Sequence, residues 1–293
     1  MQRNTATVTH WIATLALLLA GCSLVHASDC ERPLRLRYSM VPEGDVKTDL
    51  ARFRPLLDRL QVTLGMPVDV ITPASYGAVI EGLLAGEVDL ARLGPSSYLS
   101  ARKMDATITP FATFSQQASA FQQAGPFYQA LLIVRASGPM KQAANLRGRS
   151  LALVDPDSTS GSKVPRHYFS QVIGAPLEDW FGRVSYSGSH TGAVTAVIDG
   201  RATAAFVSSF QLSKMVREGA LRVSDVRILW RSSSLPLDPF VVRGRLCADI
   251  TGKIREVFLD NRARTEAPVL DDMNAIRFLP IQDSDYRVLD ALP

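Results

Sequence analysis

Histidine and cysteine are scarce in this chain, 4 and 3 among 293 residues. Metal centres and thiol chemistry need such residues clustered, and no C-x-x-C or H-E-x-x-H string is present. The phosphate-loop pattern G-x-x-x-x-G-K-[ST] is also missing, as is the G-x-S-x-G elbow of serine hydrolases. Gly188-Ser189-His190-Thr191-Gly192 comes nearest to that elbow, with the wrong spacing. The formal charge of +4 is mild and contains no run of Lys and Arg, which excludes the concentrated basic face of a nucleic-acid binder. There is no internal repeat and no low-complexity tract, and the one long apolar run lies near the start. The remaining composition, 46% apolar and 20% charged, is that of a globular protein long enough for one large or two medium domains. Neither a metal nor a cofactor is expected.

The apolar run, WIATLALLLAG at 11–21, follows Arg3 as the only preceding charge. It is shorter than the roughly 20 residues that span a bilayer, and it ends in small residues. Residues 1–27 therefore read as an export signal, and the mature protein is expected in the periplasm. Two cleavage sites compete. Leu19-Ala20-Gly21-Cys22 resembles a bacterial lipobox, which makes Cys22 a candidate for lipid attachment; Val25-His26-Ala27 is a small-x-small site that releases a soluble chain from Ser28. Either cut leaves only Cys30 and Cys247, which in an oxidising compartment tend to pair. A Cys30–Cys247 disulfide is expected, the alternative being two thiols with one buried. The bond would hold the mature N-terminus beside the segment after residue 240, as in a chain that leaves a domain and returns to it.

From residue 33 the pattern is strand, helix, strand: 33–41, 48–60, 67–72, then a helix over 75–88 opened by Ser75 and a strand at 89–94. A polar, turn-rich passage at 115–126 precedes a second series, with strands at 127–136, 150–156, 183–188 and 202–210 and helices at 163–174 and 192–200. After the Pro-rich stretch 232–240 come a short strand at 240–243, a helix at 248–260 and a mixed tail at 275–292. This rhythm specifies an α/β protein of two units with largely parallel sheets. The second unit is inserted in the first, with lobe 1 formed by 28–122 plus 237–293 and lobe 2 by 123–236. The crossings fall near 118–127 and 233–240 and act as hinges. Clefts between such lobes hold small ligands, and the loops after the strands' carboxyl ends face them.

Three such loops are rich in hydroxyls: 94–98 (GPSSY), 157–162 (DSTSGS) and 187–190 (SGSH). In the second, Ser158, Thr159, Ser160, Gly161 and Ser162 precede Pro165, which fits a helix beginning just before it. A helix start with free N–H groups, added hydroxyls and a glycine is an anion cradle, although a single Ser would serve as a simple cap. His190 is either a donor to the anion or a capping histidine, and His167, beside Tyr168, is structural. Tyr76 and Tyr98 either donate to an oxyanion or pack. Asp238, before Pro239, either forms the turn or meets a ligand O–H or cation, because burying it unpaired is costly. Lys163 is expected to point to solvent. An exported hydrolase built on Ser160 and His190 lacks any third member.

In this order, YGAVIEGLLAGEVDLARLGPSSY, DPDSTSG with its later proline, SGSH, LDPFVVR and FLPIQDSDY resemble the phosphate/phosphite/phosphonate-binding proteins of ABC importers, over nearly the whole mature chain. The resemblance implies a two-lobed periplasmic binding protein fold of type II, non-enzymatic and working as a monomer. It implies a phosphorus oxyanion as ligand and a membrane permease as partner, or a sensor kinase for a signalling relative. It also implies Tyr76, Tyr98, Ser158, Thr159, Ser160, His190 and Asp238 as ligand-binding residues. Two positions depart from the family pattern: Thr191 stands where an acid is common, and Gly200-Arg201-Ala202-Thr203 replaces a G-E-V-D element. Both favour a small oxyanion over one carrying an amino group.

Overall fold

The structure is a computed structural model that describes residues 30–260 and 267–292. The expected signal, with Cys22 and both cleavage positions, lies outside the described residues. The chain lays down strands β1 (Leu36–Met40), β2 (Val68–Val70), β3 (Leu90–Arg92) and β4 (Thr109–Gln116). It then crosses to β5 (Phe127–Tyr128), β6 (Ala130–Arg135), β7 (Ser150–Leu153), β8 (Arg183–Tyr186), β9 (Ala204–Ser208), β10 (Val226–Arg231) and β11 (Leu235–Pro236). It returns as β12 (Phe240–Val242) and β13 (Ala275–Pro280).

These strands form a six-stranded sheet, β13-β4-β12-β3-β1-β2, and a five-stranded sheet, β10-β6-β9-β7-β8. Each sheet is parallel through three strands, β2-β1-β3 and β8-β7-β9, and antiparallel beyond them. The largely parallel sheets expected from the sequence are thus mixed, for a topological reason. A strand that receives the chain from the other sheet (β6 or β12) starts at the edge where its neighbours end, and so runs against them. The two crossings are themselves joined by a short ladder, Leu235 opposite Tyr128 and Pro236 opposite Phe127.

Helices flank both sheets, and local sequence explains their ends. Ser75 caps the helix Tyr76–Leu84 by accepting from the Ala78 N–H at 3.1 Å. The single helix expected over 48–60 is broken at Phe53 into Val46–Arg52 and Arg54–Leu64, because Pro55 carries no N–H and is tolerated only in a first turn. The stretch 94–98, read as a loop, opens the helix Pro95–Met104, with proline at its first position. The helix expected over 163–174 is irregular: wide i→i+5 turns cover Thr159–Lys163 and Pro165–Phe169, and regular geometry appears only at Ser170–Ile173. The ladder meets a residue without an N–H at Pro165 and takes the wide form on both sides of it.

Under the six-stranded sheet, Phe53, Phe111, Phe240, Phe258 and Phe278 make a chain of edge and tilted ring contacts 4.8–6.0 Å apart. The helix Ala248–Leu259 closes this core with Ile250, Ile254, Val257 and Phe258. Its first turn is covalently fixed, since Cys247 at the cap is bonded to Cys30. Within the same sheet Asp89, with no exposed surface, takes Arg37 Nε at 2.9 Å and Arg243 Nε at 2.6 Å, so its charge is fully paired.

The two lobes are drawn together on both sides of the cleft. On one side the Ser96 N–H donates to Thr159 Oγ1 at 2.8 Å and Ser97 Oγ to the Asp157 carbonyl at 3.0 Å. On the other, the Thr191 N–H donates to the Glu43 carbonyl at 3.2 Å. Farther along that side Lys214, on the helix after β9, is 2.7 Å from Asp49 and 3.2 Å from Asp272. Arg52 pairs with Glu218 at 2.6 Å beside it.

Candidate ligand-binding site

The carboxyl ends of β1, β3, β7 and β9 and the starts of β6 and β12 converge on one small cavity between the sheets. Its lining includes Glu43, Tyr76, Tyr128, Ser158, Thr159, Ser160, His190, Ser208 and Asp238, with Val41, Phe210 and Leu237 as the apolar wall. Room for water centres amounts to ≈ 20 Å³. One water needs about 10–15 Å³ on that scale, so the space suits a compact group of a few heavy atoms.

The hydroxyl turn is built by local chemistry. Asp155 Oδ1 accepts from the Asp157 N–H at 2.9 Å, which turns the chain after β7. Ser158 Oγ then caps the wide turn by accepting from the Gly161 N–H at 3.2 Å. Gly161 is required by packing, because a Cβ there would stand 2.4 Å from Val154 Cγ2. Thr159 and Ser160 are both about 98% buried, and Tyr128 lines the cavity with them. Burial pushes the Tyr128 phenol far above its ordinary range, so it stays a neutral O–H.

His190 is the first residue of the helix His190–Ile198, whose cap Ser189 accepts from the Gly192 N–H at 3.1 Å. Its Nδ1 accepts from the Ser208 N–H at 3.2 Å, which assigns the remaining proton to Nε2. Burial lowers the imidazole pKa to about 3. His190 is therefore a neutral donor and brings no charge. Tyr76 is likewise kept neutral, its pKa raised first by burial and then by Glu43 and Asp238.

Behind this lining stands Arg92, which is 2% exposed. Its Nη2 is hydrogen-bonded to Glu43 Oε2, and its Nε lies 3.3 Å from Asp238 Oδ2. Burial raises the Asp238 pKa to about 7, the Glu43 carboxylate adds to that, and Arg92 opposes it. Burial therefore favours a proton on the Asp238 carboxyl, beside Glu43.

Of the residues expected at the site, Tyr76, Ser158, Thr159, Ser160, His190 and Asp238 line this one cavity. Tyr98 does not. Its hydroxyl donates to Asp283 Oδ1 at 2.7 Å, and its ring packs edge-on to Tyr286 with centroids 5.2 Å apart. The cause is the helix Pro95–Met104: with Gly94 at the cavity, a residue one turn in projects toward the C-terminal segment. Lys163 lines a separate open groove of ≈ 570 Å³ with Arg102 and Lys103. His167 contacts Tyr168 edge-on at 4.7 Å, away from the cavity lining. Glu43 and Tyr128 escaped the sequence reading. Glu43 follows the carboxyl end of β1, so the rule that picked out the other loops applies to it, whereas Tyr128 has no local signal. Among the described residues no group of three or more His, Cys, Asp or Glu side chains is arranged for a metal.

Two mixed α/β lobes joined by two crossings, closed over a small cavity lined by hydroxyl and imidazole donors with Glu43 and Asp238 at one edge, define an extracytoplasmic solute-binding protein. The family model for the ABC transporter phosphonate periplasmic substrate-binding proteins matches residues 38–286, and the chain belongs to that family, whose members bind and deliver substrates without turning them over. A phosphate-import protein of Mycolicibacterium smegmatis is 24% identical over 299 residues, covering 96% of this chain and 92% of its own length. The binding component of an ABC phosphonate transporter from Pseudomonas aeruginosa has the same fold, with a TM-score of 0.79 at 21% identity over 89% of this chain and 85% of its own. A protein of Prochlorococcus marinus, crystallised with methylphosphonate, gives a TM-score of 0.76 at 19% identity over 88% of this chain and 97% of its own.

Proposed function

We propose that the cavity holds a phosphorus oxyanion against Ser158, Thr159, Ser160 and the N–H groups of their turn, with His190 Nε2–H, Tyr76 and Tyr128 as further donors. The observation that carries this reading is the set of buried neutral donors converging on a space of ≈ 20 Å³ beside a helix start. Donors without charge hold an anion by hydrogen bonds and still release it, which suits a carrier. Asp238 faces the same space and accepts a ligand P–OH. Tyr98 supports the site from outside by holding the C-terminal segment against the helix Pro95–Met104.

Lobe 1 comprises 28–122 and 237–293, and lobe 2 comprises 123–236. The β5–β11 ladder lies at both boundaries and serves as the hinge, and ligand binding shifts the population toward the closed form presented to an ABC permease. The site is complete within one chain, which supports action as a monomer. Cys22 at the end of the apolar run supports lipid anchoring, and mass measurement of the mature N-terminus separates this from a soluble chain starting at Ser28.

Titration calorimetry with phosphite, phosphate, methylphosphonate and 2-aminoethylphosphonate tests the reading. At least one is expected to bind with micromolar affinity or better. Ser158→Ala weakens that binding by about 1–3 kcal/mol, the cost of leaving a charged hydrogen-bonding group unpaired. Absence of binding by all four would remove the functional reading while leaving the fold intact.

A further inference from the structure

Three neighbouring strands of the six-stranded sheet deliver three charges to one edge of the cavity. Glu43 follows β1, Arg92 ends β3 and Asp238 precedes β12, in the spatial order β12-β3-β1. Glu43 and Asp238 line the cavity, whereas Arg92 stands behind them and is 2% exposed. It cannot withdraw, because its guanidinium lies 5.9 Å from the Phe53 ring centroid and its Nη1 lies 3.9 Å from Met273 Sδ. It cannot advance either, because both carboxyl groups stand between it and the ligand space.

Two carboxylates at the wall of an anion site would repel the ligand, and without Arg92 that repulsion would act in a medium of low polarity. The guanidinium lies against one oxygen of each and offsets one of the two negative charges, and the burial that raises the Asp238 pKa to about 7 favours a proton on that carboxyl, so the pair loses most of its negative field toward the cavity. The same arrangement uses up the groups an ammonium would need. A cationic arm entering here would meet carboxyls already paired to Arg92 and would give up its own hydration without gaining a free counter-charge.

We infer that Arg92 sets the ligand class of this protein, offsetting the charge of the Glu43–Asp238 pair from behind so that the cavity accepts small oxyanions and rejects those bearing an alkylammonium group. The inference rests on the phosphorus-oxyanion reading above. Arg92 touches no ligand in this scheme and acts through the two carboxyls, as a positioning and charge-setting residue.

The test compares methylphosphonate with 2-aminoethylphosphonate, phosphite serving as a second small anion, by calorimetry on the mature wild type and on Arg92→Met. The wild type is expected to prefer the better small anion over the amino compound by about a hundredfold or more. In R92M that preference should shrink by at least about tenfold, through weaker small-anion binding and stronger binding of the amino compound. An unchanged preference in a folded R92M, or a wild type that takes both ligands equally, overturns the inference while leaving the phosphorus-oxyanion reading in place. Failure of every phosphorus compound on the wild type removes both together. Because Arg92 is deeply buried, Glu43→Gln provides a second arm that keeps it. Removing one negative charge should leave small-anion binding equal or tighter and the amino compound still rejected. A loss of small-anion affinity of about tenfold or more in E43Q, or a gain of amino-compound binding, overturns the inference independently of whether R92M folds.

Discussion

Lys214 is the clearest place to separate closure of the lobes from their folding. Its side chain is 6% exposed, and its Nζ reaches Asp49 at 2.7 Å and Asp272 at 3.2 Å, both on the first lobe. In Lys214→Met the closed form keeps two largely buried carboxylates without their shared cation. Stripping one partner from a buried pair costs about 3–5 kcal/mol. Here the loss is softened by Arg52, which contacts Asp272 and lies 3.8 Å from Asp49. Burial already raises the Asp49 pKa, so proton uptake offers a second relief as pH falls. A cost of about 2–3 kcal/mol is therefore expected, at or below the lower end of that range. In an open form these groups are hydrated, so the penalty falls on closure and not on the folding of either lobe. Ligand binding driven by closure should weaken by about 30- to 150-fold at neutral pH, with the ligand-free melting temperature nearly unchanged. Calorimetry paired with thermal melts reads both quantities. An affinity within about threefold of wild type in a folded K214M would refute the reasoning, as would a large fall in the ligand-free melting point.

Asp238 and His190 should bend the pH dependence of stability in opposite directions. The folded Asp238 keeps its proton up to about 7, above its unfolded value, so its contribution is fully present at low pH and is lost as pH rises through about 7. The folded His190 refuses a proton down to about 3, so its contribution is present above the unfolded value near 6.5 and is lost as pH falls below it. Between about pH 5 and 6 each group contributes a slope of about 1.4 kcal/mol per pH unit, and the two nearly cancel. Relative to wild type, Asp238→Asn should gain stability as pH rises through that window and His190→Gln should lose it, as read by urea midpoints. Parallel curves for all three proteins would show that neither group is held as described. Gly161→Ala, whose methyl would overlap Val154, should cost about 1–3 kcal/mol and displace the hydroxyl turn, lowering the melting temperature and the ligand affinity together. Unchanged affinity in G161A would mean that the turn does not hold the ligand.

The parts of this structure written in local sequence were legible from it. The helix Tyr76–Leu84 declares itself by a Ser cap and an apolar stripe, and the strand–helix–strand order gives the α/β class. Prolines were harder to read, since Pro95 starts a helix where a loop was expected and Pro55 and Pro165 break or widen helices that periodicity alone runs through. Tyr98 shows the consequence at the site. Read as part of a loop it belongs to the cavity, but as a residue one turn into a helix it faces Asp283. Charge partnership was not legible at all. Nothing local links Glu43, Arg92 and Asp238, which meet only because β12 returns from the other lobe to pair beside β3. Tyr128 is placed in the same way, by a ladder between segments about a hundred residues apart in sequence.

The bond between Cys30 and Cys247 spans 217 positions and turns the intervening chain into a covalent ring. That ring contains the whole five-stranded sheet, both crossings, and β1 through β12 of the fold. One proteolytic cut anywhere within it leaves two polypeptides still joined by the disulfide and releases no fragment. In the protease-rich space outside a bacterial cytoplasm, a nicked copy would keep both lobes tethered to each other, and the damage would be visible on a gel only after reduction.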